Sequence, residues 1–462
     1  MNDAANDPLQ QLRALLHQNP SHKTWQATCQ CLETLPGDLL EVGLDYANEH
    51  LERWPDALRV RLVDLAQWTQ APPAWWPVVR ALRVVDIDDS ADKAAVFSSP
   101  HLAHITAMEL VGANLKDQDI AALADSPHLA NLRRLNLFYN HLSPPGAHAI
   151  ATSPHLKNLT HLDLGGNVLI GTSGIRALTR SPYLTQLQHL GLAHASVRPE
   201  TVETLATSPN LATLTSINLT GNSIGPRAIT TLTASPHLAN LHTLNLTGCP
   251  LGDQGIEALA ATPHTTALHT LLLGKCHIGF QGAAALANFA NLHQLHHLTL
   301  DQNPIGPQGA AALASSPHLS HLTTLHLDHC RLHPQGATAL SLSPHLHNLT
   351  ALHLANNRID DHAIDDLTHA PVCQNLQLLI LEKNHISDLG AHAIADSPQL
   401  TQLQHLNLNA NQITQRGAHL LLSSPHLQQL TSLHLLGTHT TPQEKDALRI
   451  HQSLPKLIEL AL

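Results

Sequence analysis

Residues 295 to 314 read Leu295-His296-His297-Leu298-Thr299-Leu300-Asp301-Gln302-Asn303-Pro304-Ile305-Gly306-Pro307-Gln308-Gly309-Ala310-Ala311-Ala312-Leu313-Ala314. Leu298 and Leu300 alternate with their neighbours. A period of two sends these leucines to one side of an extended strand and His297, Thr299 and Asp301 to the other. Asn303 marks a turn, and Pro307 stands where the first turn of a helix loses nothing by lacking an N–H. The alanine-rich run that follows favours helix. The stretch is one strand, one turn and one helix.

The same frame, Leu-x-x-Leu-x-Leu-x-x-Asn-x-Ile, recurs along the chain, with Pro144, Pro226 and Pro334 in the place of Pro307. Between successive frames lies a Ser-Pro-His-Leu piece, from Ser99-Pro100-His101-Leu102 to Ser424-Pro425-His426-Leu427, at a spacing of 27 residues stretched once to 28 between Pro154 and Pro182. A unit of one strand and one helix cannot bury its leucines alone, so neighbouring units must stack strand beside strand, about 4.8 Å apart. Helices are wider than strands, and such a stack bends with strands inside and helices outside. Small residues such as Ala310, Ala311 and Ala312 let adjacent helices approach. Leu82, Val85 and Ile87 read as a degenerate early unit, and Leu457, Leu460 and Leu462 as a last strand.

This pattern resembles the leucine-rich-repeat family, and its helix-bearing unit is similar to the ribonuclease-inhibitor-like subtype. The resemblance covers roughly residues 99 to 462. It implies an α/β fold: a curved solenoid over residues 76–462 with parallel β-strands on the concave face, helices on the convex face and about 14 to 15 strands. It also implies a buried polar ladder at the Asn position, where the side chain bonds turn backbone. That position holds Asn140, Asn167, Asn222, Asn303, Asn357, Asn384 and Asn411, with Cys249, Cys276 and Cys330 in three units and Ala195 in another. Three of the six cysteines are thereby structural. Cys29-x-Cys31 lacks the spacing of a redox or metal pair and reads as helix packing.

Composition changes near residue 80, since all five Trp (Trp25, Trp54, Trp68, Trp75, Trp76) lie before it. Helical periodicity runs in four pieces, near Pro8 to Gln18, Lys23 to Leu35, Asp38 to Trp54 and Pro55 to Gln70. Breakers sit at Asn19-Pro20, Pro36-Gly37 and Pro55, and Pro72-Pro73 marks the passage into the repeats. Residues 1–75 are expected to be a small all-α N-terminal cap that covers the leucines of the first unit. A separate adaptor or oligomerisation role is the other reading.

The formal charge is −11, of which −6 falls on residues 1–98 and −5 on the remaining 364. No Lys/Arg run offers phosphates a clustered site, which argues against nucleic acid. The start, MNDAANDPLQQL, has neither a basic nor an apolar leader region, and eighteen consecutive apolar residues occur nowhere. A cytoplasmic, monomeric protein without membrane contact is expected. The phosphate loop, the nucleophile elbow and the zinc-helix motif are all missing from the sequence, and no cofactor is expected.

Residues free for recognition must come from the non-leucine positions of each strand. Near the start these are Arg134, Asn136 and Phe138, with Tyr139 next; further on come His297, Thr299 and Asp301, Thr324, His326 and Asp328, then His353 and Glu382. Aromatics beside Arg suit an interface anchor, since they supply contact area for little lost rotamer freedom; rim filling is the alternative. His326 and His353 share one strand position in consecutive units, and Asp301 and Asp328 another. Imidazole and carboxylate so placed could clasp a divalent metal such as zinc, form a polar contact patch, or do nothing, given 38 His in the chain. The His of the Ser-Pro-His-Leu piece, replaced by Tyr183, Asn210 and Gln399 in other units, is read as packing or hydrogen bonding within its turn.

The function expected is therefore a non-catalytic scaffold that binds a protein or peptide on the concave strand face. Two alternatives stand beside it. One is a GTPase activator, because Ran GTPase-activating proteins resemble this repeat type, although no matched residue carries over. The other is a metal-dependent hydrolase at the His/Asp patch. Nuclease inhibition is a narrower form of the leading reading, weakened by the low cysteine count and mild charge.

Overall fold

The computed structural model describes residues 7–64, 73, 75–86, 93–262, 264–437, 442–450 and 453–462. The chain divides into two compact units, Met1–Ser196 with Ser208–Leu214, and Val197–Thr207 with Thr215–Leu462.

The first unit opens with α1 (Pro8–Leu16), α2 (His22–Thr34) and α3 (Gly37–Leu51). Asp7 Oδ1 accepts from Leu9 N at 3.0 Å and Ser21 Oγ from Thr24 N at 3.1 Å, so each of the first two helices starts on a side-chain cap. Leu12, Trp25, Leu32 and Leu51 bury the faces between them. These are the first three expected helices.

The fourth expected helix, from Pro55, is corrected. Asp56–Leu58 forms a single 3-10 turn and Val60–Asp64 is a strand, β1, parallel to β2 (Ala81–Asp86). Tertiary pairing overrides the helical period here. Arg59 is 3% exposed, and its Nε donates to Val78 O at 2.8 Å, which holds the chain against the strand that follows. Trp25 of α2 donates its indole N–H to Val60 O at 2.7 Å, so a helix of the N-terminal segment satisfies a carbonyl of the first strand. The parallel ladder thus starts upstream of residue 76. Trp68, Gln70, Pro72 and Ile87 lie outside the described residues.

The first unit continues with β3 (Ala107–Glu109), β4 (Arg134–Asn136), β5 (His161–Asp163) and β6 (His189–Gly191), each parallel to its predecessor. α4 (Lys93–Phe97) runs between β2 and β3, α5 (Asp117–Asp125) between β3 and β4, α6 (Pro144–Thr152) between β4 and β5, and α7 (Gly171–Thr179) between β5 and β6. The second unit holds α8 (Pro199–Ala206), α9 (Pro226–Thr233), α10 (Gly252–Ala260), α11 (Phe280–Ala287) and α12 (Gly306–Ala314). These are followed by α13 (His333–Ser341), α14 (Asp361–Thr368), α15 (Asp388–Asp396), α16 (Gln415–Leu422) and α17 (Pro442–Ile450). Its strands are β7 (Ser216–Asn218), β8 (Thr243–Asn245), β9 (Thr270–Leu272), β10 (His297–Thr299) and β11 (Thr324–His326). Then come β12 (Ala351–His353), β13 (Leu378–Ile380), β14 (His405–Asn407), β15 (Ser432–His434) and β16 (Glu459–Ala461). These ten strands also pair parallel in chain order. The described residues therefore carry sixteen strands, more than the 14 to 15 read from the repeats. Among them no helix is long and apolar enough to cross a membrane.

Three polar ladders join successive repeats within each of the two units. Asn140 Nδ2 donates to Leu110 O (2.8 Å) one unit back and Leu137 O (2.9 Å) in its own, while its Oδ1 accepts from Leu115 N at 2.9 Å. Cys249, Cys276 and Cys330 keep the donor link: each Sγ reaches back to Leu219 O, Leu246 O or Leu300 O at 3.1–3.3 Å. Amides that an Asn Oδ1 would have accepted turn onto their own loops, as in Leu251 N to Cys249 O (2.8 Å) and Ile305 N to Asn303 O (2.8 Å). Burial pushes the Cys276 and Cys330 thiols up to about 12, so both remain neutral donors.

The Ser of the Ser-Pro-His-Leu piece forms a second ladder. Ser235 Oγ donates to Ala206 O and Ser424 Oγ to Ala395 O, both at 2.5 Å, satisfying end carbonyls of α8 and α15, the helices one repeat back. The His that follows contributes its backbone amide, as His155 N does to Ser153 Oγ at 3.2 Å. The third ladder caps helices across units: Asp388 Oδ1, on α15, accepts from Thr414 N (2.8 Å) and Gly417 N (3.0 Å) at the start of α16.

Candidate protein-binding face

In β4, β5, β8, β10, β11, β12 and β14 the central leucine is buried and its two neighbours are not. Leu298 is fully buried whereas His297 is exposed and Thr299 half-buried, and Leu135 lies likewise between exposed Arg134 and half-buried Asn136. The non-leucine face is thus open to a partner in both units.

In the first unit, Asn136 Oδ1 accepts from Phe138 N at 3.0 Å and fixes the strand exit. The rings of Phe138 and Tyr139 meet edge to face, with centroids 4.4 Å apart at 71°. Tyr139 has a left-handed backbone (φ 55°) that turns its side chain outward, and it is 59% exposed. Phe138 is half-buried above Gly165, where a Cβ would run into its ring. Arg134, Asn136, Phe138 and Tyr139 therefore share one strand and its exit.

Two residues that the sequence reading did not select stand beside them. His161 pairs with Arg134 in the ladder and His189 with His161; the imidazoles stack at 3.9 Å and 22°. Burial, the second imidazole and the Arg134 charge push His161 down to about 4, and burial with Arg134 lowers His189. The signal available in sequence was their common strand position with Arg134, one and two units on.

In the second unit, Asp301, His326, Asp328 and His353 come together. His326 and His353 stack at 3.7 Å and 15°, with their Nδ1 atoms 3.7 Å from Asp301 Oδ2 and 3.9 Å from Asp328 Oδ2. Those separations exceed a hydrogen bond. Each carboxylate instead serves the next turn: Asp301 Oδ1 accepts from Asp328 N (2.9 Å) and Asp328 Oδ1 from Ala355 N (2.6 Å). Burial raises Asp328, the bonded Ala355 amide opposing it, and burial with the His326 ring pushes His353 down to about 4. Face-to-face rings do not aim their in-plane nitrogens at one point. Among the described residues no group of three or more His, Cys, Asp or Glu could hold a metal ion.

His297 lies one strand before His326, and burial, then the neighbouring His296 and His326 imidazoles, lower it. Glu382 stands apart, with Oε1 at 3.0 Å from Lys383 Nζ and Oε2 accepting from Asn407 Nδ2 at 3.3 Å.

The Leucine Rich repeat family model matches residues 128–151, 155–178, 210–232, 237–260, 291–314, 318–341, 345–364 and 372–395. No curated protein matches the chain. Among solved structures, an internalin from Listeria monocytogenes is 23% identical with a TM-score of 0.46, covering 74% of this chain and 88% of its own. The yeast Rad7 and Elc1 complex supplies a chain 17% identical with a TM-score of 0.51, covering 80% of this chain and 82% of its own. A leucine-rich-repeat protein of Leptospira interrogans is 20% identical with a TM-score of 0.39, covering 91% and 98%. With eight matched repeats on a ladder of parallel strands backed by helices, the chain is a leucine-rich-repeat protein.

Proposed function

We propose that this protein is a non-catalytic interaction scaffold that holds a protein or peptide against its strand face, with Arg134, Asn136, Phe138 and Tyr139 as the anchor and His297, Asp301, His326, Asp328, His353 and Glu382 as further contacts. The observation that carries this reading is the pair Phe138–Tyr139. Their rings are held edge to face on a rigid strand exit, and Tyr139 is largely exposed although it is aromatic. A prepositioned aromatic loses little freedom when a partner covers it. Asp301 and Asp328 each spend one oxygen, Oδ1, on a backbone amide, which supports a framework role for them over an acid–base role.

The test is site-specific photocrosslinking in cell extract from position 139 and, as control, from the exposed helix-side position Gln308. A protein captured from 139 and not from 308, whose affinity falls by about 2 kcal/mol or more in the Arg134→Ala, Phe138→Ala variant, is the expected result. Equal capture from both positions refutes the choice of face.

A further inference from the structure

We propose that the turn edge of the second unit is a separate docking surface for an acidic segment of a partner protein, built from Arg331, Arg358 and the imidazoles around them. The proposal does not rest on the strand-face reading.

In the second unit the residue just before the Asn/Cys ladder position takes a left-handed backbone. In two units it is glycine, Gly221 (φ 67°) and Gly248 (φ 73°), the residue that adopts this conformation without steric cost. Over the next five units the chain instead carries Lys275, Gln302, His329, Asn356 and Lys383 there, at φ 52–58°. The position just after the ladder adds His277, Arg331 and Arg358, again left-handed at φ 56–60°. Side chains are thus retained, against backbone preference, on one edge of consecutive units. None of these residues is an Asp or Glu.

Five of them converge with His333, at the start of α13. His277, His329, Arg331, His333, Asn356 and Arg358 line an open hollow of about 760 Å³ that no carboxylate lines. Asn356 Nδ2 lies 2.8 Å from His329 Nδ1, which orients that ring. Arg331 and Arg358 are both exposed, and among the described residues neither guanidinium lies within ion-pairing distance of a carboxylate. Two guanidinium charges from adjacent repeats around one hollow, with no carboxylate lining it, favour the entry of an anion.

The chemistry of the hollow selects among anions. An Arg fork matches a carboxylate with two parallel N–H···O bonds. Nucleic-acid strands draw much of their affinity from bases stacked on aromatic platforms, and this lining contains no Phe, Tyr or Trp. Carboxylate side chains of a peptide fit both facts. The absence of any Lys/Arg run in the sequence does not argue against the surface, because its cations lie a full repeat apart.

The test titrates a fluorescent Glu-rich peptide into the full-length protein at low salt, beside its Gln-for-Glu twin and a single-stranded DNA of equal charge. We expect the Glu peptide alone to bind well, more weakly as salt rises, and about tenfold more weakly to the Arg331→Gln, Arg358→Gln variant. An Arg176→Gln, Arg198→Gln variant, which removes exposed cations elsewhere, should bind as the parent does. Phe138→Ala should leave this binding unchanged, so failure here and failure of the strand-face reading are distinguishable. Circular dichroism melts establish that each variant is folded, and Arg358→Glu provides a second disruption. No binding of the Glu peptide, equal loss in the Arg176/Arg198 variant, or tighter binding of DNA at the same residues overturns the proposal.

Discussion

His353 shows how burial and a like neighbour act on one side chain. Removal from water disfavours the imidazolium, the stacked His326 ring adds repulsion, and Asp301 opposes both weakly, leaving His353 near 4. In the unfolded chain the same group returns to its ordinary 6.5. Between those two values the unfolded state binds a proton that the folded state refuses, so stability falls as pH drops through the window. His161, pushed down to about 4 by burial, His189 and Arg134, acts in the same direction. Thermal melts should therefore show a lower midpoint at about pH 5 than at about pH 7.5, and the His161→Gln, His353→Gln variant should show a smaller difference. A midpoint that does not change with acid would mean that both rings protonate freely in the folded protein.

At the scale of single elements, the N-terminus of α16 depends on a carboxylate it does not own. Asp388→Ala removes the acceptor for Thr414 N, Gly417 N and Thr414 Oγ1 together. Loss of such a cap should cost about 1–2 kcal/mol, read as a drop in denaturant midpoint, whereas Gln415→Ala beside it should be nearly neutral. Gly417 belongs to the same joint, because a Cβ there would strike the Asp388 carboxylate. Strand and helix identities in the repeats could be read from Leu-x-Leu and from Pro before alanine, since local pattern and tertiary role agree there. The segment after Pro55 could not, because the pairing of Val60–Asp64 with Ala81–Asp86 is a long-range contact that no local period encodes. The site was legible to the same degree. Arg134, Phe138 and Tyr139 are neighbours in sequence and so could be selected together, whereas His161, His189, Arg331 and Arg358 meet their partners only through the register of successive units.

At the scale of the whole molecule, the second unit is a chain of nearest-neighbour contacts, which makes a full period removable. Deleting residues 316–342 brings Ser343 into the place of Ser316, where its hydroxyl can donate to Ala287 O as Ser316 does. That variant should still unfold cooperatively, with strand-ladder circular dichroism retained. Deleting thirteen residues from the same stretch sets a strand against a helix start and should abolish the cooperative transition. Equal damage from both deletions would contradict the modular account.

The Asn and Ser ladders also run in one direction. Asn411 reaches back to Leu381 O, Ser424 to Ala395 O and Cys330 to Leu300 O, so each unit carries the donors that fasten it to the unit before. Asn411 brings the matching acceptor as well, for Ile386 N. During synthesis on the ribosome, a unit that has just left the exit tunnel therefore needs nothing still untranslated to dock through these groups. The nascent chain can lengthen its folded part by one repeat at a time, and ribosome-bound intermediates should gain protease resistance in steps of one repeat.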